Sequence, residues 1–468
     1  MTSIFNLKKT NNSKYIIHNF LFGIFWRLSV IVLPLQARWF SEASLVDQVF
    51  EQGRLSFYIS WIPLIITIIL GFFVRKIGLP KKLQANLFWL IFLIGAISFV
   101  STPLSIRATS MWWAQILLLL SFFITLLRAE VKLISILSWF IISLIPHAIF
   151  ALIQVWIQYV PGWSWIGVAM QDPKNLGVSV VQTGDFRFLR AYGGFPHPNV
   201  LGGYMVYGIL IAGWQFLRFD ESKNKWIELA ILSTIPLFTI VLFYSFSRSA
   251  WLSLVFGFLI LLIFSVLNHV KKNIDPFKII IFFITIITSF ATFAFINQDY
   301  FLSRAGVSIE TSRLEQQSSS ARIESIKNGI RVFQANPIFG TGPNSELPAL
   351  TLLNTTSFNK EGYSTNIKLI NSLPLEPPHN IFILILANFG VAGSLIIFGF
   401  LLFLLRQILD HWPFGDPSIR DLLLSLFVSW LVISFFDHYL YTLWSGQFLS
   451  VLVFFIIIYW LKKNPQHN

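Results

Sequence analysis

Apolar residues run along the chain in blocks of about twenty separated by short polar gaps, the pattern of helices that each cross a hydrocarbon layer. Twelve such blocks are predicted, near 20–35, 56–74, 85–100, 111–127, 133–156, 200–217, 226–244, 249–267, 279–297, 380–405, 421–436 and 440–461. The first is the weakest, because Arg27 lies inside it and a charge at the bilayer centre costs about 2.5–3.5 kcal/mol. Two connecting segments are long, 157–199 and 298–378. Within the second, 320–335 places Ile323, Ile326, Ile330 and Phe333 on one helical face, follows a serine run able to cap a helix, and stops at Asn336-Pro337. That predicts an amphipathic helix lying on the outer surface. The expected fold class is an all-α polytopic membrane protein with about 12 transmembrane helices and a large external loop. Four regions follow: 1–199 (helices 1–5 and the first external loop), 200–297 (helices 6–9), 298–378 (the large external loop) and 379–468 (helices 10–12 and a cytoplasmic tail).

Composition agrees with that pattern. Of 468 residues 55% are hydrophobic and 12% charged, against about 25% charged in a soluble domain, so too little polar surface exists to solvate a globule. The net charge of +13 is of the sign that nucleic acid attracts, but Lys and Arg fall mostly in the short gaps, and no nucleic-acid partner is expected. With the N-terminus inside, 19 of the 34 Lys and Arg lie on the cytoplasmic face, where short loops retain them. Both termini are then cytoplasmic. No cleavable signal peptide is evident, and the first block is expected to serve as its own insertion signal. The absence of cysteine removes disulfides, thiolate metal sites and thiol nucleophiles.

This topology brings three external helix starts to one membrane face. One follows Arg187, Arg190 and the turn Gly193 to Asn199, one begins at Ser247-Arg248-Ser249, and one at Pro377-Pro378-His379-Asn380. Each carries a capping Asn or Ser, a positive dipole end and a cationic or imidazole side chain, which together suit an anion. Arg248 sits in a link of only a few residues, and the guanidinium fork matches phosphate. Arg190 directly precedes the glycine-rich turn, and Arg187 lies one helical turn earlier. Arg322 is in the first turn of the loop helix, where a cation opposes the helix dipole, so its placement calls for another reason. His379, fixed by two prolines, is the candidate proton acceptor. His197, Asp437 and His438 are expected in hydrogen-bonding support, with Asn199 and Asn380 at the helix starts. The segment GTGPN at 340–344 lacks the GK[ST] ending of a nucleotide loop and is expected to form a tight turn packed on the membrane surface. No metal signature is found: HExxH and Asp-x-Asp are both missing.

At these residues the chain resembles the O-antigen ligase and O-antigen polymerase superfamily of bacterial membrane glycosyltransferases. The resemblance runs in order through RAYGGFPHPNVLGGY (190–204), SFSRSAWLSLVFGFLIL (245–261), ARIESIKNGIRVFQANPIFGTGPNS (321–345) and PPHNIFILILANFGVAGS (377–394). It implies a lipid-dependent, GT-C-like architecture and a donor glycan carried on undecaprenyl diphosphate. It also implies transfer to an acceptor hydroxyl on the external (periplasmic) face of the bacterial cytoplasmic (inner) membrane, without metal or other cofactor. Carried over by motif, His379 is the catalytic histidine, Arg190 and Arg322 contact the donor diphosphate, and Arg248 supports the same site; Arg187 is the alternative to Arg190. Negative charge develops on the leaving diphosphate, and arginines with helix N-termini can stabilise it. The expected chemistry is a single, inverting displacement. Expected partners are the lipid-linked donor, a glycolipid or glycan acceptor and membrane lipids. Ligase and polymerase differ mainly in acceptor and both stay open. The reading from a different class is a lipid-linked glycan transporter (flippase), which would carry its cations near the bilayer midplane; here, Arg27 apart, they collect at one face.

Overall fold

The computed structural model describes residues 13–45, 48–74, 81–101, 103–218, 224–272, 275–306, 313–360, 376–410 and 417–463. The expected cytoplasmic ends, 1–12 and 464–468, and residues 361–375 of the long loop lie outside them. In chain order the helices are Ser13–Val32 (α1), Trp61–Gly71 (α2), Lys81–Val100 (α3), Ile106–Arg128 (α4), Leu133–Ile157 (α5), Pro198–Leu217 (α6), Lys225–Tyr244 (α7) and Arg248–Lys272 (α8). There follow Pro276–Ile296 (α9), Gln298–Ala305 (α10), Arg313–Ala335 (α11), Glu346–Lys360 (α12), Ile381–Asp410 (α13), Pro417–Phe436 (α14), Tyr439–Thr442 (α15) and Trp444–Lys463 (α16). The molecule is an all-α polytopic membrane protein. Among the described residues nine helices, α4 to α9, α13, α14 and α16, are long and apolar enough to cross a membrane.

The difference from twelve lies in the first three blocks, whose apolar helical stretches are shorter: Ile17–Val32, Trp61–Gly71 and Phe88–Val100. In the second, Ser56–Tyr58 leaves the helix to pair antiparallel with Arg38–Phe40, Arg38 opposite Tyr58. In the third, α3 opens on Lys81 and Lys82, so only its later part is apolar. Arg27 is accommodated inside α1 by donating to the Gly23 carbonyl at 2.8 Å and lying over the rings of Trp26 and Trp139.

Helix α6 is apolar on all sides and every one of its residues is buried, as expected of a helix at the centre of a bundle. It packs on α5, α7, α8 and α14. Its N-terminal end therefore stands in the middle of the molecule, and whatever projects from that end is enclosed by its neighbours.

The predicted loop helix forms as α11, but it starts at Arg313, so the serine run lies inside the helix and does not cap it. The face turned to the protein carries Ser325, Gly329 and Val332, while Ile323 and Ile330 are exposed. Small residues allow the close approach to α13, and the isoleucines are left for the surrounding apolar medium.

The turn at 336–344 does not rest on a surface: it is inserted into α13. That helix breaks at Gly390, whose φ is 60° and ψ −166°. Thr341 and Gly342 donate to the carbonyls of Ala387 and Asn388 at 3.0 and 2.8 Å, and Val391 and Ala392 donate to those of Pro337 and Ile338 at 2.8 and 3.0 Å. The turn thus supplies hydrogen bonds that the broken helix cannot make itself, the condition for irregular backbone at such depth. Glycine is required on both sides, because a Cβ on Gly390 would lie 2.3 Å from the Ile338 oxygen and one on Gly340 2.4 Å from the Asn388 carbonyl carbon. Glu346, at the start of α12, is 1% exposed and faces the fully buried amide of Asn388 at this break. Burial pushes its carboxyl up to about 7.

Candidate active site

Four chain segments meet at the N-terminal end of α6: the 190–199 turn, the α7–α8 link, the α14–α15 junction and the start of α13. Strand Phe186–Leu189 pairs with Val180–Thr183 and delivers Arg190 to the C-terminal end of α7, where unpaired carbonyls are expected. The Arg190 guanidinium is buried there, donating from Nε to the Ser245 carbonyl at 2.8 Å and from Nη2 to Asn199 Oδ1 at 2.6 Å. Asn199, also buried, passes the connection on: its Nδ2 donates to Asp437 Oδ2 at 2.6 Å. The other Asp437 oxygen accepts from the His438 backbone at 2.9 Å. Arginine, amide and carboxylate therefore form one hydrogen-bonded line in which the buried cation and anion are both satisfied.

His379 lies at the end of that line. Its Nδ1 faces Asp437 Oδ1 at 3.7 Å, its Nε2 faces Glu376 Oε2 at 3.5 Å, and its ring meets that of His438 edge-on with centroids 4.9 Å apart. The backbone N–H of His379 donates to Ser325 Oγ of α11 at 3.3 Å, which ties this residue to α11. Asn380 caps α13, its Oδ1 accepting from Ile383 at 3.1 Å and its Nδ2 donating to the Phe435 carbonyl at 3.2 Å.

Electrostatics separate the roles. Burial would raise the Asp437 carboxyl, but its interactions with the His379, His438 and His197 imidazoles and the Arg322 guanidinium outweigh it and hold Asp437 below the usual carboxylate range. Glu376 is also held low, first by its hydrogen bond with His379 and then, against its partial burial, by the charges of His379, His438 and Arg322. Burial lowers His438 to about 4, reinforced by His379, and lowers His197 to about 3, reinforced by Arg190. Both stay neutral at physiological pH. His197 Nδ1 accepts from the Asn199 N–H at 3.1 Å, which leaves Nε2 to donate to Ser179 Oγ at 3.0 Å. The α6 cap is accordingly His197, not Asn199.

The structure thus joins Arg190, Asn199, Asp437, His438 and His379, with Arg322 close enough for its charge to bear on Asp437, Glu376, His438 and His197. Arg248 opens α8 in the link whose Ser245 carbonyl Arg190 binds. Arg187 is turned elsewhere: its guanidinium donates to the carbonyls of Lys174 and Asn175 at 3.5 and 3.1 Å. Sequence reasoning missed Glu376, visible only as the carboxylate three residues before the histidine in PLEPPHN. It also missed Thr442, whose hydroxyl lies 2.7 Å from His438 Nδ1, and Arg304, which donates to the Phe246 carbonyl at 2.7 Å and steadies the same link. One donor atom each of His379, Asp437 and His438 lie within 4.8 Å of one another, a spacing that would suit a metal ion. The Asp437 oxygens are taken by Asn199 and the His438 backbone and His438 Nδ1 by Thr442, so hydrogen bonds organise Asp437 and His438, while His379 Nδ1 is buried without one.

An apolar cavity of about 240 Å³ lies along α4, α13 and α16. It starts at Ile381 and Leu440, two residues beyond His379 and His438, and is lined down to Leu127 by residues that include Trp112, Ile116 and Phe123. From Trp112 to Leu127 the helix rises about 22 Å.

Residues 232–398, from α7 through the break in α13, match the family model described as O-Antigen ligase. No curated protein matches the chain. The matched stretch holds Arg248, Arg322, Glu376 and His379, whereas Arg190, Asn199, Asp437 and His438 come from outside it and complete the same cluster. The similarity to the O-antigen ligases therefore rests on residues 232–398, the stretch that brings Arg248, Arg322, Glu376 and His379 to the cluster.

Proposed function

We propose that the protein transfers a glycan from an undecaprenyl-diphosphate carrier to an acceptor hydroxyl on the external face of the cytoplasmic membrane. The observation that carries this reading is the cluster of cationic, imidazole and carboxylate groups, whose His379 and His438 are two residues along the chain from Ile381 and Leu440 in the lining of an apolar cavity. A polyprenyl chain suits the cavity, and its diphosphate then lies at the cluster, where Arg190, Arg322 and Arg248 offset the charge that develops as the sugar–oxygen bond breaks. The acceptor proton leaves to the carboxylate–imidazole assembly centred on His379. Direct displacement by the acceptor oxygen inverts the anomeric centre, and the arginines supply the charge stabilisation that would otherwise call for a metal. The reading places both termini in the cytoplasm and the site on the periplasmic side.

The test uses full-length protein in lipid nanodiscs, a polyprenyl-diphosphate-linked glycan and a panel of glycolipid and glycan acceptors. Release of free polyprenyl diphosphate with formation of an inverted glycosidic bond, read by NMR, is the expected result, and the acceptor consumed separates ligase from polymerase. A product with the donor's anomeric configuration would rule out single displacement. Glycan crossing the bilayer without bond transfer would establish the flippase reading.

A further inference from the structure

The two nitrogens of His379 each face a carboxylate, Asp437 at 3.7 Å and Glu376 at 3.5 Å, but the two carboxylates are not equivalent. The Asp437 side chain is 5% exposed and already bonded on both oxygens, whereas that of Glu376 is 55% exposed. His379 itself is only 15% exposed. A hydroxyl arriving from the aqueous side therefore meets Glu376 before it can reach the imidazole. Two prolines join Glu376 to His379 and restrict the backbone between them. Pro378 packs tightly on Gly329 of α11, where a Cβ would come within 2.6 Å of its ring, so the carboxylate is held over Nε2 by packing as well as by charge. Arg322 is on the same helix, two turns before Gly329, and its charge acts on Glu376.

We infer that Glu376, and not His379, is the group that takes the proton from the acceptor hydroxyl, with His379 behind it as the residue that positions the carboxylate. The inference rests on the transfer reading above and changes only the proton-accepting atom. The acceptor O–H bond breaks as its proton passes to Glu376 Oε2. The acceptor oxygen forms the new bond to the anomeric carbon, and the bond from that carbon to the diphosphate breaks with its electron pair leaving on the polyprenyl diphosphate. Glu376 then returns its proton to bulk water, which its exposure permits. Asp437, closed in by Asn199 and the His438 backbone, keeps its charge throughout and holds the ring of His379.

The experiment measures transfer by nanodisc-embedded full-length protein carrying Glu376→Ala, Glu376→Gln or His379→Ala, with and without added formate, alongside binding of the lipid-linked donor. Loss of a positioned base lowers the rate by roughly 10²–10⁴-fold. Glu376→Ala is expected to lose transfer in that range while still binding donor, and formate, a small carboxylate that fits the vacated space, is expected to restore at least tenfold of it. Glu376→Gln, which fills the same space without a basic oxygen, is expected to lose transfer and gain nothing from formate. His379→Ala is likewise expected to gain nothing. Transfer by Glu376→Gln within about threefold of wild type would overturn the inference, as would loss in Glu376→Ala that formate does not repair while donor binding persists. Absence of transfer by the wild-type protein with every acceptor would refute the transfer reading itself, a result distinct from either.

Discussion

Glu346→Gln isolates the carboxyl buried at the break in α13. In the folded protein this group is 1% exposed, and burial moves it from an ordinary 4.5 up to about 7. A carboxylic acid opposite a primary amide can close two hydrogen bonds, acid O–H to amide oxygen and amide N–H to acid oxygen, and Asn388 presents such an amide. The groups facing the carboxyl are that amide from α13 and the Tyr441 phenol from α15, with the Thr109 hydroxyl of α4 bonded to the neighbouring Pro343 carbonyl. As pH rises from 4.5 the unfolded chain gives up its proton first and the folded protein keeps it until about 7. The stability held by the protonated form is therefore complete below pH 4.5 and is lost by pH 7 to 8. At 1.36 kcal/mol per unit the loss is about 3 kcal/mol. His197 and His438, kept neutral by the fold, act in the opposite direction as pH falls below 6.5, so wild type and variant are compared at each pH. Thermal unfolding in nanodiscs at pH 5 and pH 8, with hydrogen exchange at Gly342 and Val391, should show wild type losing about 2.5 kcal/mol more than Glu346→Gln across that interval. Equal pH dependence in the two proteins would refute the reasoning.

Three further outcomes are expected. Gly390→Ala places a side chain at positive φ and against the Ile338 carbonyl, so the inserted turn should detach, read as rapid hydrogen exchange at Val391 and Ala392. Arg187→Ala removes only bonds to two loop carbonyls and should keep transfer within about twofold, whereas Arg190→Ala should lose roughly 10²-fold or more, as when a charge-stabilising donor is removed; the two are compared by steady-state kinetics. Asn199→Ala separates a buried guanidinium from a buried carboxylate and should cost about 3 kcal/mol, measured as a lowered unfolding temperature.

Periodicity carried most of the fold. The later blocks were legible because each is a long apolar run with polar ends, and α6 announces its central place by having no polar face. The early blocks were less so: nothing in the hydropathy of 56–74 distinguishes residues that pair as a strand with Arg38–Phe40 from residues that continue a helix. The loop helix was recognisable, but its isoleucines do not mark the face that packs on α13, because that contact is made at the small residues Ser325 and Gly329. In the site, Arg190, Arg322 and His379 could be singled out as cations or an imidazole near predicted helix starts, although α11 begins at Arg313 and Arg322 lies well inside it, not in its first turn. Asn199 and Asp437 are 238 residues apart, so their bond follows from the bundle alone. Arg187 and Arg190 are indistinguishable in sequence; the strand that ends at Leu189 decides between them by turning one out and one in. The insertion of the GTGPN turn had a trace in its paired glycines, matched by Gly390 some fifty residues on, but the partnership becomes visible only when the two backbones are side by side.

The central claim is that the His379 cluster performs glycan transfer. It is tested most directly by comparing wild type and His379→Ala, in one membrane preparation, for donor binding and for release of free polyprenyl diphosphate in the presence of acceptor. The account predicts that the variant binds donor as well as wild type and releases diphosphate at least about 100-fold more slowly. Equal release from both proteins would contradict it.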